Sequence, residues 1–109
     1  MQQTFDKSRF YLAIGKAIEA ANAVDVPDTG TYNFDTPMVK LPEGTDISEF
    51  RTRECREVDG FWLEANKDGW YFINGVCSGM QYRRTKQAEA VAESMRWQGY
   101  EAAVYYQMD

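Results

Sequence analysis

The sequence predicts an α+β fold, an antiparallel or mixed sheet of about four to five strands with two helices packed on one face. Three observations predict it. Apolar residues recur at helical spacing near each end of the chain, and the stretch between them is rich in Phe, Trp, Tyr, Ile and Val, cut by Asp-Gly turn signals. A short apolar run, Ala102 to Tyr106, then follows the second helix. With 109 residues, 44% apolar, 27% charged and 15% aromatic, the chain has the proportions of one globular domain, residues 1–109.

The first helix is expected from Thr4, a candidate N-cap, through Phe10, Ile14, Ala17, Ile18 and Ala21, which share one stripe. It should end near Asn22, because Pro27 disfavours helix at and before itself. Residues 25–44 are rich in Asp, Thr, Pro and Gly and read as a long excursion pinned by Tyr32, Phe34 and Met38, with a short strand at Pro37 to Leu41. Asp46 and Glu49 have the spacing of a capping box, which places Ile47 and Phe50 on one helical turn.

Beyond that turn, strands are predicted at Arg51 to Val58, Phe61 to Ala65, Trp70 to Asn74 and Met80 to Arg83, a meander turned by Asp59-Gly60 and Asn66-Lys67-Asp68-Gly69. Thr85 is the expected cap of the second helix. Its inward stripe is Ala88, Val91, Ala92 and Met95, and Gly99 supplies the left-handed residue that ends it. Stepping 100° per residue from Ala88 puts Trp97 on the opposite side, outside the core. A last strand spans Glu101 to Tyr106.

Charge restricts function more than composition does. The net charge is -5, and it is unevenly spread. Residues 24–50 hold Asp25, Asp28, Asp35, Glu43, Asp46 and Glu49 against Lys40 alone, whereas the flanking segments are nearly balanced. An acidic domain is a poor match to nucleic acid, whose binding rests on phosphate neutralisation, so a protein or nucleoprotein with a basic surface is the expected partner. The acids of residues 24–50 and the outward Trp97 are the candidate partner-binding residues, Trp97 because exposed tryptophan is enriched in binding hot spots.

A second reading uses the sheet. Arg51, Arg53 and Arg56, then Arg83, Arg84 and Lys86, lie among the aromatics Trp62, Tyr71 and Tyr82, a combination that can stack and clamp single-stranded nucleic acid. Arg and Glu at alternating strand positions also make ordinary exposed charge ladders, and the chain has no RNP-like motif. Direct nucleic-acid binding is therefore the runner-up.

Catalysis is not expected. The chain has no histidine, which removes the commonest general base and metal ligand. Gly75-Val76-Cys77-Ser78-Gly79 resembles a G-x-C-x-G nucleophile elbow, but such an elbow leads from a strand into a helix and needs a histidine, whereas a strand is predicted after this one. An uncharacterised small enzyme is the third reading, and no cofactor or metal ligand set is identified. Cys55 and Cys77 are expected to be reduced thiols. No window approaches the roughly 20 apolar residues of a membrane span, and the opening residues do not read as a secretion signal, so a cytoplasmic protein is expected.

Two resemblances add to this reading. Thr85 to Tyr106, with Ala88, Ala92, Gly99 and Val104 at their offsets, is similar to half of a ferredoxin-like unit. In size, acidity and want of catalytic motifs the chain also resembles small phage-encoded inhibitors of bacterial defence of the anti-CRISPR type. That resemblance implies steric blockade of a host nucleoprotein in the host cytoplasm, with carboxylates standing where phosphates would sit.

Overall fold

Helices and strands alternate in the order helix, strand, two strands, helix, strand, in a computed structural model that describes residues 5–30, 33–50, 61–77 and 79–107. Helix α1 spans Lys7–Asn22, and Asp6 caps it by accepting from the Arg9 backbone N–H at 3.1 Å. The candidate cap Thr4 lies outside the described residues; the helix takes the carboxylate nearer its first turn. Phe10, Ala13, Ile14, Ala17 and Ala21 form its buried stripe.

Strand β1, Thr36–Lys40, follows the acidic excursion, and a 3-10 turn at Ser48–Phe50 follows β1. Asp46 accepts there from the Ser48 N–H at 2.9 Å, two residues on, an Asx turn that opens the expected helical turn. Phe50 and Ile47 are buried. The strand expected at Arg51 to Val58 lies outside the described residues.

Strands β2, Trp62–Ala65, and β3, Trp70–Asn74, form a hairpin. Asp68 and Gly69 have φ of 55° and 83°, and the Asn-Lys-Asp-Gly sequence supplies residues that accept this left-handed geometry. The next element differs from expectation. Met80 to Arg83 is not a strand, because helix α2 starts at Gln81 and runs to Trp97. Thr85 is therefore inside the helix and does not cap it.

The reason is a cap made by distant residues. Met80 donates its backbone N–H to Asp28 Oδ1 at 2.9 Å, Tyr82 donates to the Thr29 carbonyl at 2.8 Å, and Gly79 donates to Gln87 Oε1 at 2.7 Å. The Tyr82 N–H is a first-turn donor that a Ser, Thr or Asp cap normally takes, and the other two bonds fix the chain that enters the helix. The helix ends at Gly99, whose φ of 93° is the left-handed position expected of it, and strand β4, Glu101–Tyr105, follows.

Among the described residues, four strands stand in the order β2-β3-β1-β4 with every neighbouring pair antiparallel. It follows that β3 and β4 are parallel with β1 between them, so β3, α2 and β4 make a split β-α-β unit. This is the strand order of a ferredoxin-like sheet, and its second half contains the helix and strand expected to form such a unit. The first half departs from it, since α1 precedes β1.

Both helices lie on one face of the sheet. Helix α2 crosses β1 and β4, and α1 runs antiparallel to α2, as shown by Gln98 Nε2 donating to the Ala13 carbonyl at 3.1 Å and Gln87 Nε2 to the Ala21 carbonyl at 3.3 Å. Between them and the sheet sits one apolar cluster that includes Val39, Leu63, Ile73, Val91, Met95 and Ala102. At one end Phe10, Phe50, Phe61 and Tyr100 pack edge to face at centroid distances of 5.5 to 6.4 Å. Among the described residues, no helix is long and apolar enough to cross a membrane.

Candidate functional site

The acids of residues 24–50 do not form one surface. Asp35 is only 5% exposed: its Oδ2 accepts from the Thr85 hydroxyl at 2.6 Å and its Oδ1 from the Gln107 N–H at 2.8 Å. Its carboxylate joins α2 to the chain beyond β4 and cannot face a partner, which removes it from the candidate set. Asp28 caps α2 and lies 3.8 Å from Arg83, and Glu49 pairs with Lys7 at 3.0 Å.

Asp25, Glu43 and Asp46 are exposed, but they are dispersed. Glu43 borders the groove beside Gly99 and Tyr100, just past the C-terminus of α2, while Asp28 sits at the N-terminus of the same helix. Seventeen helical residues put about 25 Å between those ends, roughly three Debye lengths at physiological salt. Such charges make a diffuse field more than a patch.

The cations singled out from the sequence serve the fold. Arg83 Nε donates to the Val26 carbonyl at 2.7 Å and Arg84 Nε to the Asp35 carbonyl at 2.8 Å, while Lys86 pairs with Glu89 at 3.3 Å. Arg51, Arg53 and Arg56 lie outside the described residues. Nor do Trp62, Tyr71 and Tyr82 share a face: Tyr71 packs against the core, Tyr82 is on α2, and Trp62 is on the opposite face of the sheet from the helices.

Trp97 is where the helical phase put it. It is 83% exposed, on the last residue of α2. Its base is rigid, because Gln98 is bonded to Ser94 and Ala13 and Arg96 donates to the Ala102 carbonyl at 3.0 Å, tying the helix to β4. Glu93, Arg96 and Trp97 line a shallow cleft beside that tie.

Two of the other exposed large apolar side chains share this flank. Among the described residues, Tyr82 shares α2 with Trp97 and Tyr106 follows β4, while Tyr105 packs on Phe72 on the sheet face away from the helices, Phe34 lies beside Gln107, Met80 precedes α2 and Leu12 stands on α1. Tyr106 donates to Glu89 Oε2 at 2.8 Å, and Lys86 lies 5.3 Å from the centre of the Tyr82 ring. Glu89 thereby raises the pKa of both Tyr106 and Lys86. From Tyr82 to Trp97 the flank is about 22 Å long, comparable with the width of one partner's share of a standard interface. The sequence pointed to Trp97 alone; spacings of three and four along Tyr82, Lys86, Glu89 and Glu93 carried the rest of the stripe.

Cys77 follows β3 in the connection to α2. The glycine-flanked segment thus does lead into a helix, contrary to the expected strand, and what separates it from a nucleophile elbow is the missing histidine and the state of the thiol. Burial pushes the Cys77 pKa up to about 11, with Arg84 opposing and Asp35 assisting, so the thiol stays protonated at neutral pH. Among the described residues no three His, Cys, Asp or Glu side chains are grouped to hold a metal ion. The chain matches no family model, no curated protein and no solved structure.

Proposed function

We propose that the chain is a non-enzymatic protein-binding module that inhibits a basic protein or nucleoprotein by covering its surface with the α2–β4 flank. The observation that carries this reading is Trp97, a large apolar ring held out into solvent by a helix whose end is bonded down. Burying such a ring releases roughly 4 kcal/mol at 25 cal/mol per Å², and it costs little entropy because only two torsions are frozen. That is enough for a hot spot.

The exposed carboxylates play a lesser part. Asp25, Glu43 and Asp46, with Glu93 beside Trp97, give the approach to a basic partner its attractive field, which raises the rate of encounter more than the strength of the final contact. Host nucleoproteins of the kind blocked by anti-CRISPR-type inhibitors have such basic surfaces, and the steric form of inhibition needs no catalytic group.

Affinity capture of the tagged chain from its native cell, with and without nuclease, tests the class of partner. The proposal expects a stoichiometric protein partner whose capture survives nuclease. Capture of nucleic acid alone, or of proteins that vanish on nuclease treatment, would move the function to the sheet.

A further inference from the structure

Among the described residues the helices cover one face of the sheet, and no helix lies on the other. Strand register places Glu64 opposite Phe72 and Trp62 opposite Asn74, so these side chains stand together on the open face. At one end of that face a cleft of about 440 Å³ crosses the sheet from Glu64 on β2 to Gln107 beyond β4.

Two phenylalanines line it. Phe34 is 45% exposed, and Phe72 is held edge-on by Tyr105 with ring centres 5.4 Å apart at 86°. Around them are polar groups of both kinds. The Asn74 amide donates to Glu64 Oε1 at 3.3 Å, and no second bond of the Asn74 amide, the Glu64 carboxylate or the Gln107 side chain occurs among the described residues. Arg84 is fixed at the same end by the Asp35 carbonyl and by Thr36 Oγ1 at 3.3 Å.

An apolar protein side chain would fill such a cleft poorly, because it would strip water from amide and carboxylate groups and return no hydrogen bonds. A flat ring with donors and acceptors on its edge meets both demands. We propose that this cleft binds a planar nitrogen heterocycle of the nucleobase type, stacked on Phe34 and Phe72 and read at its edge by Asn74, Gln107 and Glu64. The carboxylate accepts an exocyclic amine, so adenine and cytosine are preferred over uracil. The ring comes either from a free nucleotide or from a single strand. This site is separate from the Trp97 flank and does not depend on it.

Amide chemical-shift titration of the whole chain with the monophosphates of adenosine, cytidine and uridine, and with oligoadenylate of about eight nucleotides, tests it. Saturable shifts should be confined to the cleft and be stronger for the amino-bearing bases. Phe34→Ala, at a part-exposed position, should weaken binding about 10-fold, equivalent to about 1.4 kcal/mol, with apo shifts changed only around the cleft. Isosteric Glu64→Gln should abolish the preference over uracil, and Trp97→Ala should change nothing. An oligonucleotide that binds no tighter per site than the monophosphate assigns the free nucleotide, and a tighter one assigns the strand. Absence of saturable shifts for every base at a few millimolar, or binding indifferent to both Phe34→Ala and Glu64→Gln, overturns the proposal.

Discussion

Asp35 and Asp28 carry the same group seven positions of chain apart, one buried and one exposed. The Asp35 carboxylate is spent on Thr85 and Gln107 inside the molecule, so Asp35→Ala leaves a hydroxyl and a backbone N–H unpaired in a buried place. Chemical denaturation should show a loss of about 3 kcal/mol, against about 1 kcal/mol or less for the exposed Asp25→Ala. Equal small losses would mean that the Asp35 network adds nothing. Nothing local in the sequence marks Asp35 as buried, because its partners lie fifty and seventy-two positions away.

Cys77 makes a second prediction at this scale. Its folded pKa, about 11, lies above the ordinary value of 9.0, so the folded state favours the neutral thiol. The thiol's contribution to stability is fully present below about pH 9 and is lost as pH rises towards 11. Relative to Cys77→Ala, the wild type should lose about 1 to 2 kcal/mol between pH 8 and pH 11 in thermal or urea unfolding. A difference that stays constant across that range would show that the thiol is not shielded as described.

At the scale of elements, what was local in the sequence was legible and what was tertiary was not. The stripes of both helices, the Asn66 to Gly69 turn and the Gly99 stop follow from spacing and from residues that tolerate positive φ. The start of α2 did not, since its donors are satisfied by Asp28 and Thr29 across the fold, and a β-rich, uncapped Met80 to Arg83 then reads as strand. Asp28→Ala should cost about 1 kcal/mol and speed amide exchange selectively in the first turn of α2. Protection of that turn unchanged from wild type would remove Asp28 from the cap. The open sheet face was legible in part: alternation along β3 aligns Trp70, Phe72 and Asn74, but only strand order brings Glu64 and Gln107 to them.

For the whole molecule, a net charge of -5 and the dispersal of the described acids of residues 24–50 assign, in the proposed binding module, approach to electrostatics and retention to Trp97. Raising salt should slow association with a basic partner while leaving dissociation nearly constant. A dissociation rate that follows salt as steeply as association would place ion pairs at the heart of the interface.

The most direct measurement compares wild type and Trp97→Ala for both stability and partner capture. The ring contributes little to folding where it stands, so the melting temperature should be nearly unchanged, whereas affinity for the captured partner should fall by about 2 kcal/mol or more, roughly 30-fold. Undiminished affinity in a fully folded Trp97→Ala protein would contradict the account.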